Sequence, residues 1–497
     1  MVAISAVVVS IGRVTFDLEF GTEQARAARS VLGDLGVSVL GGDDVITAAE
    51  GLAGALDAVS LDDADVMIVL QATFADADAV ISLAATSPLP IVVWSFPEPR
   101  KGARLRLNSL CGANLAAYSL RRRRHPCAFV HIDPLHPSSG ARVAWAIESA
   151  LAGSGELAVP VTVGRRGEPA AVAEASAVDG RLRGSRVGVI GAPPDGFEPC
   201  LGDDESIAST FGVEVTRLEL GDLFTLATNA RRADVDATIE RIRATVDVDA
   251  AISADDLVPS ARLYRGIRDA VDAGGLGAVA TRCWPECMTE FGGAVCTPHA
   301  MLTEDRVPGV CEADVLGAVT ALVLQHVAGT DPFIADLVDL DESDDTSVLW
   351  HCGVASSKLA DPGADLVGTV HPNRRVPLVN QFALRPGRVT VARVSQLAGG
   401  LHLVLGSGEM LDRPRAYDGT SGTLHWDRPA ADVARTIFDL GIEHHLGVVY
   451  GDHREVLVEL ARRWGIPVVL LGGDATGRAM RDDGSLDPGA AAPSRRT

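Results

Sequence analysis

Several things are scarce in this sequence, and each scarcity excludes something. Positive charge is outweighed: 66 acidic residues stand against 44 basic ones, a net charge of −22. A field of that sign repels phosphate backbones and anionic lipid, so neither nucleic acid nor a membrane surface is an expected partner. The only basic block, the arginines at 121–124, is too short for a groove-length footprint and reads as a solvated turn. No apolar run reaches the ~18 residues of a spanning helix. Residues 1–12 are apolar but carry no basic leader or clear cleavage site, and read as a first strand rather than a signal peptide. The eight cysteines are scattered through an acidic chain. That pattern suits free thiols in a reducing, cytoplasmic compartment better than a disulfide framework. Nucleotide and hydrolase signatures are missing too: no G-x-G-x-x-G follows the opening strand of either α/β unit, there is no P-loop, and LGSGE around Ser407 lacks the nucleophile-elbow spacing. Aromatic residues make up only 4%. Cores must therefore be built from small aliphatic side chains, which suits Val-rich parallel sheets covered by helices.

What is present fills about three domains, at roughly 150 residues each. Residues 1–155 alternate strand-like runs (3–11, 37–40, 66–70, 91–94) with a helical pattern at 21–36 and Ala-rich stretches, the mark of a doubly wound parallel sheet. Residues 154–185 are rich in Gly, Ala and Val with weak periodicity and read as a connection. A second α/β unit, 180–346, opens with a strand at 186–190 and runs through helical 234–246 and 260–272 to a strand at 277–281. From 347 to 480 short β-branched runs between Gly- and Pro-rich turns favour an antiparallel barrel or sandwich, closed by an alternating helix–strand pattern. The tail 481–497 has a disordered composition.

Reactive side chains are densest at 283–314, CWPECMTEFGGAVCTPHAMLTEDRVPGVCEAD. The cysteine spacing is irregular, so the thiols read as small core residues rather than zinc ligands. The carboxylates carry more. Residues 315–327 are apolar on nearly every face, a buried helix, with Asp314 as its N-cap and Glu312 just outside. After it, FIADLVDLDE is an apolar strand interrupted by Asp336, and a charge in such a strand is costly unless something pairs with it. Glu312 and Asp336 thus bracket one buried helix, whose ends could bring them to a common pocket, where two carboxylates repel unless a cation or proton neutralises them. The plain alternative is a strand end and a solvated turn, and spacing alone favours it. In GIEHHLGVVYGDH, adjacent His444 and His445 should face opposite ways at a strand entrance, so at most one would ligate a given metal. His351 in LWHCG is a further candidate.

The ordered set IGRVTFD, VVWSFPEP, CWPECMTEFGG, CEADVLGAV, FIADLVD, LWHCG and EHHLGVVYGDH resembles the L-fucose isomerase family, distant relatives of the L-arabinose isomerases. The resemblance implies two α/β domains followed by a C-terminal domain containing a β-barrel. It also implies a homo-oligomer, hexameric in the family, and interconversion of an aldose and a ketose through an ene-diol. Family members bind a divalent ion, usually Mn2+, through a Glu, an Asp and a His, which fall here on Glu312, Asp336 and His445. Glu312 and Asp336 would also move the protons. Arg13 and Trp94 match the segments from which a neighbouring subunit completes the sugar site, and His351 resembles a histidine that arabinose isomerases place near the metal. Glu286 and Glu290 match no family role, and CWPECMTEFGG departs from the usual pattern, which leaves the aldose open. A sugar-binding protein on the same scaffold, or another metal-assisted carbohydrate enzyme, are the rival expectations.

Overall fold

The computed structural model describes residues 4–153, 167–397 and 400–473. The tail 481–497, and residues 154–166 of the expected connection, lie outside the described residues.

The first unit is a parallel sheet in the order Ser38–Leu40, Ser5–Ile11, Val66–Gln71, Ile91–Ser95, Cys127–His131, with Val45–Ile46 also on Ser5–Ile11. Strands such as VMIVLQ are buried at every position because helices cover both faces, hence their continuous apolar reading. The helix Leu18–Asp34 starts where Asp17 accepts a hydrogen bond from Phe20 N at 3.1 Å, satisfying an otherwise unpaired donor. Trp94 closes this core. Its ring is fully buried and its Nε1 donates to Ile132 O at 3.0 Å. The expectation that Trp94 reaches a sugar is therefore corrected: a large apolar ring on an interior strand of a covered sheet is a core residue and offers a ligand no surface.

The second unit is an all-parallel sheet in the order Gly309–Cys311, Ala278–Thr281, Arg186–Ile190, Glu214–Leu218. Half of the expected connection belongs to it. Pro169–Leu182 is a helix whose Ala171, Ala175, Val178 and Leu182 are buried in the same apolar cluster as the sheet. Two of its four buried apolar residues are Ala, which blunts the periodic signal.

The third element is a ten-stranded mixed sheet. It includes Phe333–Asp341, which the sequence reading left in the second unit, so the sheet does not respect a boundary at 346. The strand Gly400–Met410 pairs with both Gly387–Leu397 and Thr420–Trp426, and the path through His445–Tyr450, Phe333–Asp341 and Thr346–His351 returns on itself as a ring of pairings. The helix Val315–Ala328 lies between the second sheet and this ring, packed on both, which is why it is apolar all round. Gly447 lets that helix approach the ring: a Cβ there would meet Ala392 O at 2.9 Å and Thr320 Cγ2 at 2.9 Å. Among the described residues, no helix is long and apolar enough to cross a membrane.

Candidate active site

Register brings the first two groups together. In the pairing of Phe333–Asp341 with His445–Tyr450, Asp336 stands directly opposite His445, so their side chains share a face. Glu312 arrives from the other sheet. It follows the strand Gly309–Cys311 in a left-handed turn, with φ of +64° at Glu312 and +53° at Ala313, before the helix Val315–Ala328 begins. Left-handed geometry costs a non-glycine residue about 1–2 kcal/mol, so two in succession mark a turn that the surrounding structure holds in place. The result is a compact centre. His445 Nε2 lies 3.5 Å from Glu312 Oε2 and 3.6 Å from Asp336 Oδ1.

The groups behind the centre fix its orientation. Asp314 caps the helix by accepting from Gly317 N at 2.8 Å, as expected, but it does two further things. It takes a two-point pair from Arg393, at 2.6 and 2.8 Å, with both side chains fully buried. It also accepts from His445 Nδ1 at 2.8 Å. Gly317 is required here, since a Cβ would collide with Asp314 Oδ2. Because Nδ1–H is spent on Asp314, Nε2 is the His445 atom turned towards Glu312 and Asp336, the tautomer control typical of ligating histidines. Both His445 Nε2 and Asp336 Oδ1 are buried without a hydrogen-bond partner.

The electrostatics divide the two acids. Burial, reinforced by the charges of Glu312 and Asp314 and opposed by His445, pushes the Asp336 carboxyl up to about 7. Burial also opposes ionisation of Glu312, but the hydrogen bond from His444 and the neighbouring His445 hold it at about 2. Burial depresses His445, yet the Asp314 hydrogen bond and the carboxylates Glu312 and Asp336 raise it overall. His444 and His351 go the other way, burial holding them at about 4 and about 3 respectively, so both imidazoles are neutral.

His444 corrects an expectation. It precedes the strand, so strand alternation does not govern it, and both histidines face the centre with ring centroids 4.1 Å apart. His444 Nε2 lies 3.0 Å from Glu312 Oε2. His351 Nδ1 accepts from Cys352 N at 2.8 Å, which leaves the ring proton on Nε2 as a donor. Among the described residues two groups could hold a metal ion: Asp336, His351 and His445, and Cys200, Glu312, His444 and His445, with donor atoms in each within 4.8 Å. Burial drives the Cys200 thiol well above its usual value, which disfavours it as a thiolate.

Glu312, Asp336, His351 and His444 belong to the wall of a pocket lined by all three units, with Thr15, Phe74 and Asn108 from the first, Trp284 and Glu312 from the second, and Asp336, His351 and Arg374 from the third. Trp284 Nε1 donates to Glu312 Oε1 at 3.3 Å. Arg13 does not line the pocket; its guanidinium lies over the Trp284 ring, 4.9 Å from the centroid, and pairs with Asp76. Glu286 pairs with Arg282 and Glu290 is exposed; neither lines the pocket. All eight cysteines are unpaired, as expected, and five of them line the pocket. Sequence reasoning missed His444, Trp284, Arg374 and the Arg393–Asp314 pair. Arg393 alone gave a signal of the kind that flagged Asp336, a charge inside the apolar strand GRVTVARVSQL.

Fold and pocket together define an α/β enzyme with a carboxylate–histidine centre. The sequence model of the fucose/sulfoquinovose isomerase N-terminal domain matches residues 7–149. The sulfoquinovose isomerase of Priestia aryabhattai is 30% identical over 455 residues, 91% of this chain and 96% of that protein. The sulfoquinovose isomerase of Clostridium sp. (strain MSTE9) is 32% identical over 460 residues, 91% and 95% of the two chains. That of Alkalicoccus urumqiensis is 29% identical over 412 residues, 82% and 86%. The chain belongs to the fucose isomerase family, and by class it is an aldose–ketose sugar isomerase.

Proposed function

We propose that the protein is a divalent-metal-dependent isomerase of an open-chain aldose, with Glu312, Asp336 and His445 as the metal ligands and Mn2+ as the fitting ion. One observation carries this: the buried, partnerless His445 Nε2 and Asp336 Oδ1 face each other beside Glu312. Two carboxylates and an imidazole lone pair are the donor chemistry of a hard-to-borderline divalent cation, and the residues present fit such an ion. When bound, the ion supplies Lewis-acid polarisation of the sugar carbonyl and its neighbouring hydroxyl.

The chain's own residues do the rest. One of Glu312 and Asp336 takes the C2 proton and the other moves a proton on or off the sugar oxygen, giving an ene-diol that is reprotonated at C1. Burial of Asp336 and the low exposure of Glu312 limit the access of bulk water that would compete for those protons. Neutral His351 presents an Nε2–H donor to a sugar oxygen, and His444 holds Glu312 in place. Since the relatives are sulfoquinovose isomerases, we take the substrate to be a 6-sulfonated aldose rather than L-fucose or L-arabinose. The same reading takes the ring of strand pairings as the family's barrel. It also makes the protein a cytoplasmic homo-oligomer, which the exposed apolar Leu135, Trp145 and Leu151 around one helix support.

Metal analysis of purified protein, with ketose detection on sulfoquinovose, L-fucose and L-arabinose before and after chelation, tests the proposal. Loss of activity on chelation and recovery with Mn2+ are expected. Undiminished isomerisation by chelated, metal-free protein, or by folded Glu312→Gln and Asp336→Asn variants, overturns it.

A further inference from the structure

The pocket wall carries two kinds of chemistry. One is the acid–histidine centre; the other is the hairpin tip between Val367–Val370 and Pro377–Ala383, where His371, Asn373 and Arg374 reach the wall, with the Trp284 ring in contact with both Glu312 and Arg374. Arg374 has no carboxylate within ion-pair distance among the described residues. Its guanidinium lies over the Trp284 ring, 4.3 Å from the centroid, and Arg13 nearby repels it. Glu312 acts on it only at a distance, so this largely buried arginine, stacked on an aromatic face, makes no direct ion pair, which is costly unless a ligand provides one.

Its neighbours are donors. Asn373 Oδ1 accepts from Arg104 Nε at 2.6 Å, so the Asn373 amide has only N–H groups left to offer. Arg104 also donates to Thr15 O at 2.6 Å, tying the hairpin tip to the first unit. His371 Nδ1 accepts from Asn373 N at 3.2 Å, and burial holds the ring neutral, leaving Nε2–H as a donor. Thr15 Oγ1 is buried without a partner.

We propose that this hairpin tip, led by Arg374 with Asn373, His371 and Thr15, binds an anionic group with tetrahedral oxygens at the sugar end remote from the carbonyl, so selecting charged over neutral aldoses. The assignment rests on the isomerase reading for the placement of the carbonyl at the other end. A guanidinium offers two parallel donors to two oxygens of one such group. Among the described residues that line the pocket Arg374 is the one arginine, and a single guanidinium among neutral donors matches a monoanion, as a sulfonate is at every relevant pH. The dianion of a phosphate monoester calls for a second cation at the pocket wall, and neither Arg104, held by Asn373 and Thr15 O, nor Arg13, paired with Asp76, lines the pocket.

The test compares kcat/KM of the Mn2+-loaded enzyme on an aldose bearing a 6-sulfonate, a 6-phosphate or a 6-deoxy end. Wild-type enzyme should prefer sulfonate to 6-deoxy by about 10- to 100-fold, the worth of a charge-assisted hydrogen-bonded contact. Arg374→Met should collapse that ratio towards one, through KM more than kcat, and Arg374→Lys should restore part of it. A ratio unchanged in Arg374→Met, or no preference for the sulfonate in wild type, overturns the assignment; a stronger preference for phosphate overturns the monoanion choice. Calorimetric binding of the non-isomerisable alditols, 6-sulfonated and 6-deoxy, separates this inference from the isomerase reading. Sulfonate-selective binding that Arg374→Met abolishes, in a protein that isomerises nothing, keeps the subsite and rejects the activity; equal binding of both alditols by an active isomerase rejects the subsite.

Discussion

Two buried aspartates flank His445, and they are opposites. Asp314, at the start of the helix Val315–Ala328, is fully partnered: it takes a backbone N–H, both arms of Arg393 and the imidazole Nδ1. Asp336, in the strand paired with His445, has an oxygen with no partner. The environments push the carboxyls apart, Asp314 held well below the usual range despite its burial and Asp336 raised to about 7. A satisfied buried acid is a fixture that aims a neighbour, whereas an unsatisfied one is available for chemistry or a cation.

The comparison can be broken from either side. The largest expected effect is at Asp336. Asp336→Asn should fold yet lower kcat by about 10²–10⁴-fold, the usual cost of losing a proton-transfer group, and should weaken Mn2+ retention measured by elemental analysis. At Asp314 the effect should appear in stability instead. Arg393→Met strands the Asp314 charge in the core, and chemical denaturation should show a loss of about 3–5 kcal/mol. If Asp336→Asn proves the more destabilising of the two, the contrast between fixture and reactive group is wrong.

The next effect is in pH. Metal-free Asp336 holds a proton up to about 7, and His445 titrates above its usual value, so an incoming cation must displace protons. Apparent Mn2+ affinity should fall by about tenfold or more per unit as pH drops below about 7, read by calorimetry. The stability sign is opposite. Between the unfolded carboxyl value of 3.8 and about 7 the native state binds a proton at Asp336 that the unfolded chain does not. Metal-free wild type should therefore gain stability relative to Asp336→Asn as pH falls from 7 towards 4, by about 1.4 kcal/mol per unit at most. The smallest effect is at Trp94. Trp94→Phe removes one buried hydrogen bond and should cost about 1 kcal/mol of stability while leaving kcat/KM within a factor of two; a large loss of activity would return that ring to the sugar site.

Much of the architecture was legible from the chain. Strands such as VMIVLQ and the all-apolar helix at 315–328 announce themselves by period and burial, which are local properties. The Ala-faced helix Pro169–Leu182 was not legible, because small contact residues carry little hydrophobic contrast. In the site, Asp336 could be nominated because it interrupts an apolar strand, and Glu312 because it stands just outside the buried helix that precedes that strand. Their meeting could not be read from spacing, and His444 was misjudged by applying strand alternation one residue too early.

Taken alone, the sequence determined the parallel α/β character and the acidic residues on either side of one buried helix, since composition and periodicity are written along the chain; the family showed only as a resemblance carried by an ordered set of motifs. The tertiary structure decided which groups share a pocket. The register that sets Asp336 against His445, the left-handed turn that delivers Glu312, and the hairpin tip that brings Arg374 over Trp284 all join residues far apart in the chain. Such convergence depends on strand pairing and packing across three units, and no local pattern encodes it.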